Sequence, residues 1–550
     1  MIFISTLLIT MVITITMIPI CKRVAVRTNV MDFPNPRKVH SRPMPKIGGI
    51  AMAIGALGPA TLWMAGGRLV GAVIIGAWII VVFGVLDDFK NLGYKGKFFG
   101  QVLAALVVIF FGGLKIKGVG NCLPDGALLP DFIAIPLTLL VIVGVTNAIN
   151  LSDGLDGLAG GNSLLIFICI GYLAYTGRYH PENHFIMILC AAIIGAIVGF
   201  LRFNTYPATV FMGDAGSQLL GFLAIVLSLG LTQGNTPLSP VLPLILLGFP
   251  VLDTLTVMIE RILKRRSPFK ADKNHFHHKL IRLGFFHTEA VVTIYLLTVF
   301  LVFIGFFFRF HSEWFLLFFY IAFSGTIIGG FVMADRTGWK LQRYALIDSF
   351  IKGKLRIIKE KHIVIKVSFQ FVENALPLLL IFTSILPVRI PPYLSITALA
   401  LAVIVVCTSI FMKGWLAAAL RLSFYLMVPF LLRLGQVDMV SWMTKNTILL
   451  YDLSFGVLAL FVVLTLKFTR RRKGFKVTPI DFLLLVIAMV LPNLPDSQIQ
   501  SVGMEFLATK IIVLFFSFEV LIGELRGDLT RLSMATIAAL LVVTSKGLLG

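Results

Sequence analysis

The sequence predicts an all-α polytopic membrane protein, and three observations carry that expectation: 58% of the residues are hydrophobic, only 13% are charged, and the mean hydropathy is +0.95. Soluble domains carry about 25% charged residues, and a helix needs about 20 apolar residues to cross the hydrocarbon core. Runs of that kind recur throughout the 550 residues. The formal charge of +22 gathers in a few loops between them, which is the pattern of positive-inside topology rather than of a nucleic-acid binder. Cys21, Cys122, Cys169, Cys190 and Cys407 are odd in number and scattered, so no disulfide framework or CxxC metal site is expected.

Residues 1–20 are apolar and precede Lys22, Arg23 and Arg27. A secretory signal places its charge first, so this stretch is expected to remain as a first span with its N-terminus outside. Further spans are expected near 47–66, 69–86, 98–115, 131–149, 162–177, 184–201, 218–233, 240–262, 290–309 and 314–333, about eleven in all. Alternation then places 22–46, 87–97, 150–161, 202–217, 263–289 and 334–367 in the cytoplasm. The Lys/Arg-rich loops fall on that side, and so does nearly every polar motif of the first 333 residues.

Loop by loop, those motifs have one chemistry. The first loop runs from Asp32 through Pro34, Arg37, Lys38 and His40 to Lys46, a proline-stiffened segment offering cations to a phosphate or simply anchoring the chain. The second opens on Asp87-Asp88 and continues to Lys97 and Gln101; adjacent carboxylates repel unless a metal or cations lie close. The third, Asn147 to Gly161, carries Asn147, Asn150, Asp153 and Asp156 among glycines that let the backbone approach a ligand. The fourth places Phe211 and Asp214 at the mouth of a helix. The fifth is strongly basic and holds His275, His277 and His278, whose spacing suits phosphate oxygens or a carboxylate better than zinc. Asp253, inside an apolar run, is expected to face the interior and pair with a cation.

Carboxylates and carboxamides ringed by Lys, Arg and His match phosphoryl transfer from a nucleotide to a lipid, with a divalent ion held by oxygen ligands. No GxxxxGK[ST] loop is present, which argues against an ATPase. The motifs PNPRKVH, LDDFKN, NAINLSDGLDGLAGG, VFMGDAGS and HFHH, in that order over residues 1–333, resemble the polyprenyl-phosphate N-acetylhexosamine-1-phosphate transferases, glycosyltransferase family 4. The HxHH spacing looks more like the O-antigen and teichoic branch than the peptidoglycan branch.

The resemblance implies transfer of a sugar 1-phosphate, GlcNAc-1-phosphate first among the choices, from a UDP-sugar to undecaprenyl phosphate. UMP would be released and a cell-envelope glycan such as a lipopolysaccharide O-antigen initiated. It implies Mg2+, or Mn2+ in its place, on Asp214 with Asn150 as second ligand. Asp87 and Asp88 would lie by the prenyl phosphate, one of them orienting or deprotonating it, with direct attack favoured over a covalent enzyme step. Asp156 and Phe211 look like uracil contacts, and His275, His277 and His278 like diphosphate contacts. Lys97 and the segment holding Arg37, Lys38 and His40 are further phosphate candidates. Asn147 is a substrate-side candidate, and Asp153 belongs to the catalytic set without a specified role. The expected setting is the bacterial cytoplasmic membrane, multi-pass, with the site facing the cytoplasm; a homodimer is left open, and no nucleic-acid partner is expected.

Beyond 333 the motifs stop. Residues 334–368 form a basic stretch suited to an amphipathic helix on the inner leaflet. Residues 369–550 are a C-terminal extension with about seven spans, near 370–386, 393–412, 415–432, 447–466, 480–494, 506–523 and 532–549. Glu505, Lys510, Glu519 and Glu524 there are expected in buried pairs or along a path. The rival reading is a transporter or lipid-linked glycan exporter, for which a repeated pair of halves would be expected; none is visible in the sequence.

Overall fold

The structure, a computed structural model, describes residues 2–33, 43–63, 67–90, 92–124, 127–177, 181–234, 236–267, 274–341, 363–468, 504–524 and 529–549. Arg37, Lys38 and His40 lie outside these residues, as do the expected span at 480–494 and most of the basic stretch after 334. Fourteen helices among the described residues are long and apolar enough to cross a membrane, and this is an all-α, multi-pass membrane protein. The described residues fall into two compact units, one within 1–342 and one within 343–550.

The first unit contains helices α1 (Ile2–Thr28), α2 (Gly48–Trp63), α3 (Arg68–Lys90), α4 (Gly93–Phe110), α5 (Asp131–Leu151), α6 (Leu158–Thr176), α7 (Pro181–Asn204), α8 (Gly213–Thr232), α9 (Leu242–Leu246), α10 (Gly248–Leu263), α11 (Phe276–Arg282), α12 (His287–Phe307) and α13 (Glu313–Thr337). α8 is the axis: it is buried almost along its whole length and packs against α2, α3, α5 and α6. Small residues let these backbones approach, as membrane helices require where lipid offers no hydrophobic drive. A Cβ on Gly84 of α3 would stand 2.4 Å from the Ala215 Cα, and one on Gly49 of α2 would stand 2.1 Å from the Gly216 nitrogen. The Gly84 contact brings the next turn of α3, with Asp87 and Asp88, beside the start of α8.

A two-stranded antiparallel hairpin, β1 (Met31–Asp32) with β2 (Met44–Pro45), closes the first loop. It is stitched to the fourth: Phe211 N–H donates to Pro45 O at 2.9 Å, and Gly48 and Gly49 N–H donate to Phe211 O and Met212 O at 2.9 and 2.7 Å.

The expected single span at 240–262 is two helices, α9 and α10, separated at Leu247. Pro250 has no N–H to return to the Leu246 carbonyl, so the ladder cannot run through. Tyr320 OH donates to Gly248 O at 2.9 Å just past the break.

The second unit has helices at Ile363–Ile385, Pro392–Phe411, Leu416–Val437, Lys445–Phe468, Met504–Glu524 and Thr530–Leu549. Ile390, Leu394, Ala398, Met427, Leu431 and Val543 are among its packed core. Ion pairs join its helices: Arg421 Nε with Glu519 Oε1 at 2.9 Å, and Lys510 with Asp452 at 2.6 Å. Lys510 and Glu519 are thus in interhelical pairs; the side chains of Glu505 and Glu524 lie outside the described residues.

Candidate active site

The ends of α3, α5, α7 and α10 and the starts of α4, α6, α8 and α11 converge, which is what alternating spans deliver at one membrane face. At the centre is Asp214 in the first turn of α8, where the helix start favours a negative charge. Its Oδ1 receives Lys97 Nζ from α4 at 3.0 Å and Asn150 Nδ2 from α5 at 2.7 Å. Lys97 also reaches Asp87 Oδ2 at 2.9 Å, so one cation joins two carboxylates. Asn150 continues to Ser217 Oγ at 2.8 Å.

The two acids of the second loop diverge in role. Asp87 is 4% exposed, and its Oδ1 has no hydrogen-bond partner among the described residues. Asp88 has both oxygens engaged: Asp214 N–H donates to Oδ1 at 3.0 Å and Ala215 N–H to Oδ2 at 3.1 Å. It therefore caps α8 from another helix, satisfying N–H groups that the helix itself leaves open.

The third loop is pinned by its neighbours. Asn204 accepts from Gly157 N–H at 3.0 Å, and Tyr295 OH donates to Gly157 O at 2.6 Å, where φ is +81° and glycine is favoured. Asp156 Oδ2 accepts from Ala208 N–H at 2.9 Å, and Asp156 N–H donates to His287 Nε2 at 3.2 Å. Loss of solvation, then the charges of Asp214, Asp156, Asp88 and Asp32, push the Asp153 carboxyl up to about 7.

Asp253 makes the same move as Asp88. Its Oδ1 accepts from Phe276 N–H at 2.7 Å at the start of α11, and its Oδ2 meets His275 Nδ1 at 2.9 Å. Among the described residues its partners are thus a histidine and a helix start. His275 and His277 stack in parallel at 5.8 Å. Burial, then the His278, His275 and His287 rings, hold His277 well below the ordinary imidazole value. Gly154 leaves it room, since a Cβ there would meet His277 Nε2 at 2.2 Å.

Two cavities result. One, of about 850 Å3, is polar and lined by Asp88, Asp153, Asp156, Phe211, Asp214 and Lys46, among others. The other, of about 1200 Å3, is lined by apolar residues of α5, α8, α9 and α10 and reaches Asp87, Lys97, Asn147, His275 and His277 at its polar end. Both are lined by Asn150, Gly154 and His278. Every expected site residue that is described lies on one or both.

Three residues on the cavity walls are not singled out by the sequence as site residues. Lys46 Nζ is held by Asp32 at 3.0 Å on the wall of the polar cavity. Burial lowers its affinity for a proton, but Asp32, with Asp88 and Asp214, more than restores it, so the ammonium titrates above the ordinary lysine value. Tyr206 and His287 stack at 4.4 Å on the same wall. The signal for Lys46 was its place in the first loop; Tyr206 and His287 gave none, because they meet only through the fold.

Residues 70–232 match the family described as "Glycosyl transferase family 4". A Bacillus subtilis (strain 168) protein named "Probable undecaprenyl-phosphate N-acetylglucosaminyl 1-phosphate transferase" is 40% identical over 297 residues, covering 54% of this chain and 80% of its own. The Yersinia pestis undecaprenyl-phosphate alpha-N-acetylglucosaminyl 1-phosphate transferase is 31% identical, covering 62% and 93%. The decaprenyl-phosphate N-acetylglucosaminephosphotransferase of Mycolicibacterium smegmatis is 34% identical, covering 50% and 73%. With most of each of these relatives matched by a chain that carries the converged acids and cations, this protein is a transferase and belongs to the polyprenyl-phosphate hexosamine-1-phosphate transferases of glycosyl transferase family 4.

Proposed function

We propose that the protein transfers N-acetylglucosamine 1-phosphate from UDP-N-acetylglucosamine to undecaprenyl phosphate at the cytoplasmic face of the bacterial inner membrane, releasing UMP and starting a cell-envelope glycan. The supporting observation is the junction of the two cavities at Asn150, Gly154 and His278. A polar chamber suits a nucleotide sugar, an apolar one a prenyl chain, and the phosphates of both would meet at their shared wall.

The donor set suits Mg2+, with Mn2+ as substitute. Among the described residues no three His, Cys, Asp or Glu side chains form a ready cage. Mg2+ keeps several waters and is commonly held by one or two carboxylates plus substrate phosphates. Asp214 and Asn150 would hold it, joined by Asp87, whose buried Oδ1 lacks a hydrogen-bond partner among the described residues. When bound, the ion would supply charge neutralisation on the diphosphate.

In the reaction an oxygen of the prenyl phosphate attacks the β-phosphorus of the UDP-sugar, and the bond from that phosphorus to the bridging oxygen breaks as UMP leaves. A phosphate monoester with a second pKa near 6 is already an anion at pH 7, so no aspartate is needed as base. Lys97 and Lys46 offset negative charge, Asp156 and Phe211 receive the uracil, and His278 stands at the junction. The acids cluster at one set of helix ends rather than at the midplane, which favours a transferase over a transporter.

The test is to incubate membranes containing the full chain with undecaprenyl phosphate and a panel of radiolabelled UDP-sugars. A labelled lipid from UDP-N-acetylglucosamine is expected; label entering lipid only from another sugar would change the donor, and none from any would refute the reaction.

A further inference from the structure

One helical turn deeper than the site lies a second polar layer that no substrate contact explains. We propose that Gln101, with Asn147 and Gln218, is a positioning device that fixes Lys97, Asn150 and Asp214 relative to one another; this rests on the transfer reaction proposed above.

The spacing is the first ground. Gln101 follows Lys97 by four residues on α4, Asn147 precedes Asn150 by three on α5, and Gln218 follows Asp214 by four on α8. Residues three and four apart share a helix face, so three helices each present a site residue with a carboxamide behind it.

The bonds are the second. Gln101 Oε1 accepts from Asn147 Nδ2 at 2.6 Å, while Gln101 Nε2 donates to Gln218 Oε1 at 3.0 Å and Asn147 Oδ1 at 3.3 Å. Asn147 Nδ2 also donates to Val143 O at 2.8 Å. Gln101 therefore ties all three helices at one level. Gln101 and Gln218 are 1% and 2% exposed, and neither lines either of the two cavities of the site. Asn147, expected on the substrate side, has both side-chain polar atoms in this layer although it borders the apolar cavity.

The chemistry is the third. Apolar packing sets helix separation but leaves slack in rotation and rise, whereas hydrogen bonds are directional. A buried carboxamide without partners is costly in a membrane interior, so the three side chains hold one another to a single register. Unlike a carboxylate or ammonium, they do so without adding charge next to Asp214 and Lys97. Reaction rates fall about a hundredfold for a misplacement of about 1 Å, and a layer one turn away is well placed to prevent that.

Gln101→Met keeps the length of the side chain and removes its hydrogen bonds. In the purified full-length protein we expect kcat to fall about thirtyfold to a hundredfold, with KM for UDP-N-acetylglucosamine and for undecaprenyl phosphate within about threefold. A second readout needs no substrate: acetic anhydride labelling of Lys97, followed by mass spectrometry, should quicken severalfold as the ammonium loosens from Asp87 and Asp214. Gln218→Met, which leaves the Gln101–Asn147 pair, should show both effects in weaker form and carries the test if Gln101→Met does not fold. Unchanged kcat with unchanged labelling overturns the proposal, as does a loss confined to KM. Wild-type protein that makes no lipid product would refute the transfer reaction instead, and the labelling would then decide the layer alone.

Discussion

Asp88 holds the start of the helix that carries Asp214: its two carboxylate oxygens accept the backbone N–H groups of Asp214 and Ala215 at 3.0 and 3.1 Å. An acid that the family resemblance places by the prenyl phosphate thus has both oxygens bonded to the start of α8. A cap of this kind contributes about 0.5–2 kcal/mol, but its larger effect is to aim the first turn of α8.

Asp88→Ala and Asp88→Asn should therefore both lower kcat at least about a hundredfold, as misplacement of the reacting groups does. The first removes both acceptors; the second sets an amide N–H against one of the backbone donors. Because the phosphate nucleophile needs no base, the residual activity should keep the wild-type pH profile. Near-full activity in either variant would refute the capping role, and a lost ionisation limb would restore the base.

Gly84 controls the same geometry from one turn earlier. Its missing Cβ is replaced by Ala215 backbone at 2.4 Å, which cannot yield as a side-chain tip can. Gly84→Val should push α3 from α8 at a cost of about 1–3 kcal/mol and carry Asp87 away from Lys97. Thermal unfolding in detergent and lipid-product formation should both fall; at Gly58, where a Cβ meets nothing within 4 Å, Gly58→Ala should change neither.

Lys46 is the described cation of the first loop that stands fixed on the polar cavity, with Asp32 holding it at 3.0 Å. Lys46→Met should raise KM for the UDP-sugar about tenfold, a loss of about 1.4 kcal/mol, with a smaller change for the prenyl phosphate. Lys46→Arg should retain most of the affinity. Steady-state kinetics with each substrate varied in turn decides this, and an effect on the prenyl phosphate alone would move Lys46 to the other substrate.

Asp153 gives the site a pH signature. Its carboxyl titrates at about 7 in the folded protein, against about 3.9 in an unfolded chain. The folded state then binds the proton more tightly, so the stability it contributes is present below about pH 4 and is lost as pH rises towards 7. In buffer free of divalent ions the unfolding temperature of the wild type should fall across that window, and Asp153→Asn should flatten the fall. Parallel curves for the two proteins would contradict the assignment.

Much of this is legible in the sequence because polar and charged groups beside apolar runs are conspicuous: Asp87, Asn150, Asp156 and Asp214 stand out in that way, the family motifs imply their roles, and all four line the two cavities. Hydrophobic runs likewise placed the spans well, since span length is set by the bilayer. The break at Leu247 was missed because a run of apolar residues does not show where Pro250 withdraws an N–H. Asp88 could not be separated from Asp87, because its partners are backbone groups of a helix 126 residues away in the chain. Gln101 stands out only as part of the second loop and Gln218 not at all, for a similar reason: a single carboxamide in a span has meaning only once its neighbours on other helices are known.

The most direct test is to supply purified full-length protein with UDP-N-acetylglucosamine and undecaprenyl phosphate, with and without Mg2+, and to measure UMP and lipid-linked sugar together for the wild type and Asp214→Asn. The predicted result is equal amounts of both products from the wild type, dependent on Mg2+, and neither from Asp214→Asn. UMP without the lipid, or full activity in Asp214→Asn, would contradict it.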